Sequence, residues 1–139
     1  MADQDSTTNP PPSLSVFSGN ITTEIQIPAP LKFLISNLKN LVPHALTADN
    51  YAIWRIQILQ QFTANGFADH LNGTDSCPVE TSSSAAQRWY LIDNNLLSVL
   101  FSTISPSILP YVISSKTANE VWQILGRSRA HGINMLGGG

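Results

Sequence analysis

The chain has 139 residues, of which 42% are hydrophobic and only 12% are charged, and its net charge is −2. This length supports one domain with a core, and the composition excludes a fully disordered chain, which would combine low hydrophobicity with high charge. The seven lysines and arginines are scattered along the sequence, which argues against a dedicated nucleic-acid module because such a module needs a basic stripe.

The N-terminal segment predicts neither export nor contact with a membrane. Residues 1–20 are polar and contain no lysine or arginine, so they lack the features of a signal peptide. No apolar run approaches the roughly 20 residues that a membrane-spanning helix needs. A single cysteine, Cys77, cannot form an internal disulfide or a zinc knuckle. We therefore expect a cytoplasmic protein, with the nucleus as the alternative compartment.

Both ends of the chain are predicted to lack regular structure. Residues 1–24 are rich in Ser, Thr, Pro and Asn and include three consecutive prolines, which oppose both helix and sheet pairing. Residues 131–139 end in three glycines. Between this disordered head and unstructured tail, we expect one helical domain over 25–130.

Apolar residues at helical spacing predict two helices in the first half of that domain. The first covers 30–42, and Pro43 ends its pattern. The second covers 49–65, with Asp49 or Thr47 as its N-cap. Its apolar face is broad, which predicts packing against two neighbours.

Turn-forming residues over 66–82 predict a loop, after which the helical pattern returns. A capping box that begins at Ser84 predicts a helix over 84–103. A further short helix is expected over 106–114, bent or only one to two turns long because Pro110 interrupts it.

A second capping box, which begins at Thr117, predicts the last helix over 117–130. The sequence contains no strand-rich stretch and no internal repeat of 20–50 residues. The predicted fold is therefore all-α, a small bundle of about five helices.

Side chains able to carry catalysis or to bind a metal are few. His44, His70 and His131 fall in predicted loops or in the tail, with no His or Cys at metal-ligand spacing. Cys77 has only His70 nearby in sequence as a base, so an ordinary loop thiol is favoured over a nucleophile. No glycine motif for a phosphate or cofactor occurs. We expect no enzymatic activity, no metal and no cofactor.

The aromatic residues raise the question of core packing against ligand binding. Trp54, Trp89 and Trp122 each lie on an apolar stripe, which favours burial in the core over stacking on nucleic-acid bases. Phe33 lies off the stripe of its helix. Its ring is either covered by the head segment or available to a partner protein, and the sequence does not decide between the two.

Two charged residues project from the apolar arcs of their helices, Arg55 on the second and Asp93 on the third. Buried charges are rarely left unpaired, so one hypothesis is that the two form a partly buried ion pair. The alternative is that Arg55 extends to solvent while Asp93 accepts hydrogen bonds from backbone amides.

Four sequence blocks occur in a fixed order and spacing, and the last three each contain a tryptophan: Pro30 to Pro43, Leu46-x3-Asn50-Tyr51-x2-Trp54-x2-Gln57, Trp89-x3-Asp93, and Ala118-x2-Val121-Trp122-x2-Leu125. Together they resemble the N-terminal Gag region of plant copia-type LTR retrotransposons, over about residues 25–127. The resemblance implies a helical, capsid-N-terminal-like domain that assembles with other Gag chains around RNA. It also implies that the motif residues are architecture and not an active site: Leu46, Asn50, Tyr51, Trp54, Gln57, Trp89, Asp93 and Trp122.

The sequence also departs from that family pattern. The match fades after Leu125, the tail from His131 is unlike the family, and neither a Cys-His knuckle nor a protease motif is present. We therefore expect a truncated, non-enzymatic Gag-like fragment that is defective in particle assembly. Its expected partners are copies of itself, through weak self-association, or other Gag chains, and RNA binding is expected to be poor.

The sequence allows two other functions. One is a host-domesticated, Gag-derived adaptor that binds a cellular protein through a groove near Phe33. The other is a small-molecule-binding or catalytic helical domain, which the lack of convergent polar residues argues against.

Overall fold

The computed structural model describes residues 26–130, so the predicted head over 1–24 and tail over 131–139 lie outside the described residues. The described part forms five α-helices: α1 Ala29–Leu41, α2 Tyr51–Ala64, α3 Ala68–Asn72, α4 Ser84–Phe101 and α5 Ala118–Ala130. Within residues 26–130 there is no β-strand, only an isolated parallel bridge between Leu46 and Ile104. The prediction of a small all-α bundle is confirmed.

The core lies between α1, α2, α4 and α5. Residues three and four apart face the same side of a helix, and on α1 this places Leu31, Leu34 and Leu38 in a fully buried row. Helix α1 packs on α4 and α2, α4 packs on α5, and α3 is held against α2 and α5. In this described core, no helix is long and apolar enough to cross a bilayer.

The turn before α2 is organised by Asn50, the residue that directly precedes the helix. Its Oδ1 accepts a hydrogen bond from the Thr47 backbone N–H at 2.7 Å, and its Nδ2 donates to the Ala45 carbonyl at 2.9 Å. The prediction of Asp49 or Thr47 as the N-cap is wrong, because Asn50 occupies the cap position and bonds backward to the turn, not forward to the helix.

A short helix, α3, interrupts the predicted loop over 66–82. The prediction missed it because five residues are too few to show helical periodicity. Glycines with positive φ stand on both sides of it, Gly66 at +86° and Gly73 at +85°. The helix buries His70 and Leu71, so tertiary packing stabilises a segment whose local sequence is typical of a loop.

Helix α4 has a side-chain N-cap, but one residue earlier than predicted. The Ser83 hydroxyl, and not that of Ser84, accepts a hydrogen bond from the Ala86 N–H at 3.1 Å. The predicted helix over 106–114 is reduced to a single 3₁₀ turn at Leu109–Tyr111. Pro110 lacks the N–H that a continuing α-helix requires, so α3 replaces this segment as the fifth helix.

The capping box of α5 forms in a modified way. The Thr117 hydroxyl accepts from the Glu120 N–H at 3.1 Å, as predicted. The Glu120 carboxylate, however, accepts from the Lys116 N–H at 2.7 Å and not from that of Thr117. The last helix therefore begins where the sequence predicted it.

Candidate functional site

The Leu46 to Gln57 block attaches α2 to the chain that follows α4. The Leu46 N–H donates to the Thr103 carbonyl at 2.8 Å, and the Leu46 carbonyl accepts from the Ser105 N–H at 3.1 Å. The indole Nε1 of Trp54, a fully buried residue, donates to both the carbonyl and the hydroxyl of Thr103 at 3.1 Å. These bonds satisfy buried polar groups that would otherwise destabilise the core.

An aromatic row continues from this block to α5. The Tyr51 and Trp54 ring centroids are 6.4 Å apart, and those of Trp54 and Trp122 are 6.0 Å apart. The Arg55 guanidinium lies 5.2 Å from the Trp122 centroid, within cation–π distance. Tyr51, Gln57 and Trp122 are half-buried, so the row passes from the core to the surface.

The Trp89-x3-Asp93 block holds His70, a residue of α3, from two sides. Trp89 and Asp93 lie one turn apart on α4 and so project from the same face. The Trp89 ring stacks on the imidazole at 5.2 Å and 21°. The Asp93 carboxylate contacts His70 Nδ1 at 2.9 Å, and the Asp75 carboxylate lies 3.4 Å from Nε2.

The second oxygen of the Asp93 carboxylate reaches α5. Oδ2 accepts a hydrogen bond from the N–H of Ala118, the first residue of that helix, at 3.1 Å. A negative charge at a helix N-terminus is favourable because the helix dipole is positive there. Asp93, which is 1% exposed, therefore joins α3, α4 and α5 through a single side chain.

These contacts correct two predictions. Arg55 and Asp93 do not form an ion pair. Arg55 is exposed over Trp122, and Asp93 accepts from the Ala118 amide, as in the alternative hypothesis, while neither hypothesis included the contact of Asp93 with His70. Trp89 is half-buried and outside the core. Its Nε1 donates to the Asp75 carbonyl at 3.1 Å, so the ring covers His70 at the edge of the bundle.

The structural importance of His70 was not predicted from the sequence. The residue lies 23 positions from Asp93 and in a stretch predicted to be a loop. One signal could have found it: a carboxylate in an apolar arc needs a donor, and His70 is one of the few donors available.

The Cys77 thiol lines a cavity together with Trp89 and Tyr90. Its Sγ is 3.5 Å from the Pro78 carbonyl, and a hydrogen bond with the Cys77 side chain raises the pKa of Tyr90. This cavity of about 220 Å³ is also lined by Asn119, among others. Over residues 26–130, no three His, Cys, Asp or Glu side chains are arranged to hold a metal ion.

Helices α1 and α2 each carry exposed apolar side chains, and further ones occur elsewhere at Val79, Tyr90, Tyr111 and Ile113. On α2, Ile53 and Ile56 are 64% and 63% exposed, and on α1, Phe33 and Ile35 are each 45% exposed. A groove of about 470 Å³ borders α2; its lining does not include Phe33 and consists of Pro43, His44, Ala45, Thr47, Asn50, Ile53, Trp54 and Gln57. This groove beside α2 is distinct from the groove expected near Phe33.

Two curated plant proteins are similar to this chain. It is 28% identical over 103 residues to the retrovirus-related Pol polyprotein from transposon RE1 of Arabidopsis thaliana, and equally to that from transposon RE2. These similarities support a plant retrotransposon origin. Each alignment covers 68% of this chain and 7% of the relative, so the retrotransposon-derived chain corresponds to a small part of those polyproteins.

No known family profile and no solved structure matches the chain. The similarity to the two retrotransposon proteins indicates the origin of the chain.

Proposed function

We propose that the chain is a Gag-like, capsid-type interaction domain of a retrotransposon that acts by associating with copies of itself or with other Gag chains. The observation that carries this proposal is the use made of the motif residues. Leu46, Trp54 and Asp93 are buried, and their polar atoms bond other parts of the same bundle. Because these motif residues bond other parts of the same bundle, they favour a structural domain over a catalytic one.

A non-enzymatic role is supported by the state of the strongest candidate base. His70 is 4% exposed, and its two ring nitrogens face the Asp93 and Asp75 carboxylates. A general base must reach the proton that it removes, and this imidazole is covered by Trp89. The contact of the Cys77 thiol is with the neighbouring Pro78 carbonyl, at 3.5 Å, which supports an ordinary loop thiol over a nucleophile paired with His70.

Association is supported by the surface. The net charge is only −2, and proteins of low net charge repel one another weakly. Exposed isoleucines on α2 and an apolar-lined groove beside it offer surface for a partner chain. For the 139-residue chain we propose a monomer in equilibrium with a weak dimer in the cytoplasm.

Sedimentation velocity on the purified chain tests this proposal. We expect concentration-dependent association with a Kd between about 1 μM and 1 mM, and no uniform closed particles in electron micrographs. A chain that stays strictly monomeric at about 1 mM would contradict self-association. Uniform closed particles would instead show that the chain is competent in assembly.

A host-derived adaptor remains the second candidate, and one observation favours it. Phe33 is 45% exposed on the side of α1 that faces away from the buried leucines, where a partner protein could reach it. If the chain is an adaptor, Phe33→Ser abolishes binding of a purified cellular partner while the fold, measured by circular dichroism, is unchanged.

A further inference from the structure

The outer face of α2, formed by Ile53, Ile56 and Gln60, is exposed although it is largely apolar. These residues lie three and four positions apart, so they share one side of the helix, opposite the buried residues Trp54 and Ile58. Both isoleucines are more than 60% exposed. Adjacent apolar side chains on one helix face offer a surface that a partner can cover.

The charge of α2 favours a second copy of this chain as the occupant. Arg55 is the only charged residue of the helix, and its guanidinium lies over the Trp122 ring, away from the outer face. Two outer faces can therefore meet without bringing like charges together. A partner recognised through charge would find no countercharge on this face.

The geometry of a helix face also suits a two-fold contact. In such a contact residue i of one copy meets residue j of the other, and j meets i. Two α2 helices that cross in opposite directions place Ile53 of each copy against Ile56 of the other. The groove beside Ile53 continues this surface toward Pro43 and Ala45, which gives the partner helix a second place to pack.

We infer that the outer face of α2 is the surface through which two copies of this chain associate, with Ile53 of one copy packed against Ile56 of the other. This inference rests on the proposed self-association and names its location. The face is only about two turns long, so its area falls below the roughly 1,200–2,000 Å² of stable interfaces. The contact is therefore weak between two copies and gains strength only when several copies are held together.

Complementary charges across the proposed contact give a direct test in the full chain. Ile53→Lys and Ile56→Glu are each measured alone and then as an equimolar mixture, by sedimentation velocity. Each variant alone places a charge against an isoleucine twice per dimer, and we expect dimerisation to weaken at least about tenfold. In the mixture, the introduced lysine of one chain meets the introduced glutamate of the other, so association returns and weakens again at high salt.

A matched control is Ile113→Lys, because Ile113 is also more than half exposed but lies outside α2. It is expected to associate like the unsubstituted chain, and circular dichroism verifies that all variants fold. If the unsubstituted chain associates but the α2 variants associate equally well, this surface is wrong while the proposed function stands. If the unsubstituted chain never associates, both fail. Loss without rescue in the mixture overturns the two-fold pairing.

Discussion

At the scale of single residues, Trp54 has the largest fully buried side chain of the described residues, and that side chain also donates hydrogen bonds. Its ring is fully buried, and its Nε1 bonds Thr103. We predict that Trp54→Ala lowers the free energy of unfolding by about 3–5 kcal/mol, because truncating a buried aromatic residue leaves a cavity. Urea denaturation measures the loss. Ile113→Ala, an exposed control, is expected to change stability by less than about 0.5 kcal/mol.

The contact between His70 and Asp93 is predicted to be energetically coupled. A double-mutant cycle with His70→Gln and Asp93→Asn is expected to give an interaction energy of about 0.5–3 kcal/mol, the range for residues in direct contact. The asparagine in the second variant keeps an oxygen that can accept from the Ala118 N–H. The measurement is again urea denaturation, at a fixed pH near neutrality.

A second double-mutant cycle, with Arg55→Ala and Asp93→Asn, is the control for the His70–Asp93 cycle. Because Arg55 lies over Trp122 and Asp93 bonds His70, we expect the losses in the free energy of unfolding of the two single variants to add in the double variant. Strong coupling between Arg55 and Asp93, together with none between His70 and Asp93, would restore the ion pair that the structure argues against.

At the scale of elements, α3 depends on the two glycines beside it. Both have positive φ, but a Cβ at Gly73 would meet the Asn119 side chain at 3.1 Å, while a Cβ at Gly66 would meet nothing within 4 Å. Asn119 Nδ2 donates to the Leu71 carbonyl at 2.6 Å, so its displacement breaks a link between α5 and α3. Backbone strain is common to both sites, and crowding is specific to Gly73.

We predict that Gly66→Ala lowers stability by about 1–2 kcal/mol, the cost of a left-handed backbone in a residue with a Cβ. Gly73→Ala is expected to cost more, because Asn119 must also move. Urea midpoints of the two variants, compared with the unsubstituted chain, measure the difference. Equal losses at the two positions would show that the Asn119 contact contributes nothing.

The longer helices could be predicted from sequence because each repeats its apolar residues over three or more turns. The predicted range 30–42 differs from α1 (Ala29–Leu41) by one residue at each end, and 49–65 exceeds α2 (Tyr51–Ala64) by one or two. Helix α3 could not be predicted, since its stability comes from burying His70 and Leu71 against other helices.

The candidate site could be predicted from the sequence only where its residues lie close together in the chain. Trp89 and Asp93 stand out in the sequence because their spacing of four is local. The side chain that they hold, His70, is brought to them by the tertiary fold and not by any periodic pattern. Caps at Ser83 and Asn50 were misplaced by one residue or more because neighbouring polar residues offer equally good local signals.

At the scale of the whole molecule, the distribution of charge predicts poor binding to RNA. Seven basic residues are spread along the chain, and one of them, Arg55, is engaged with Trp122. Without a basic stripe the phosphate backbone gains little electrostatic attraction. Fluorescence anisotropy with single-stranded RNA at about 0.1 M salt should give no Kd tighter than about 1 μM, the limit of ordinary non-specific binding. Submicromolar affinity would contradict this prediction.

The bonds between the Leu46 turn and the chain after α4 also bear on the order of folding. Trp54 and Thr103 are 49 residues apart. The loop between them contains the rest of α2 and the whole of α3 and α4. Closing so long a loop costs chain entropy before any contact offsets it, so we expect this connection to form after the transition state. Leu46→Ala should therefore accelerate unfolding and leave the folding rate nearly unchanged, which stopped-flow chevron analysis measures as a φ-value near zero.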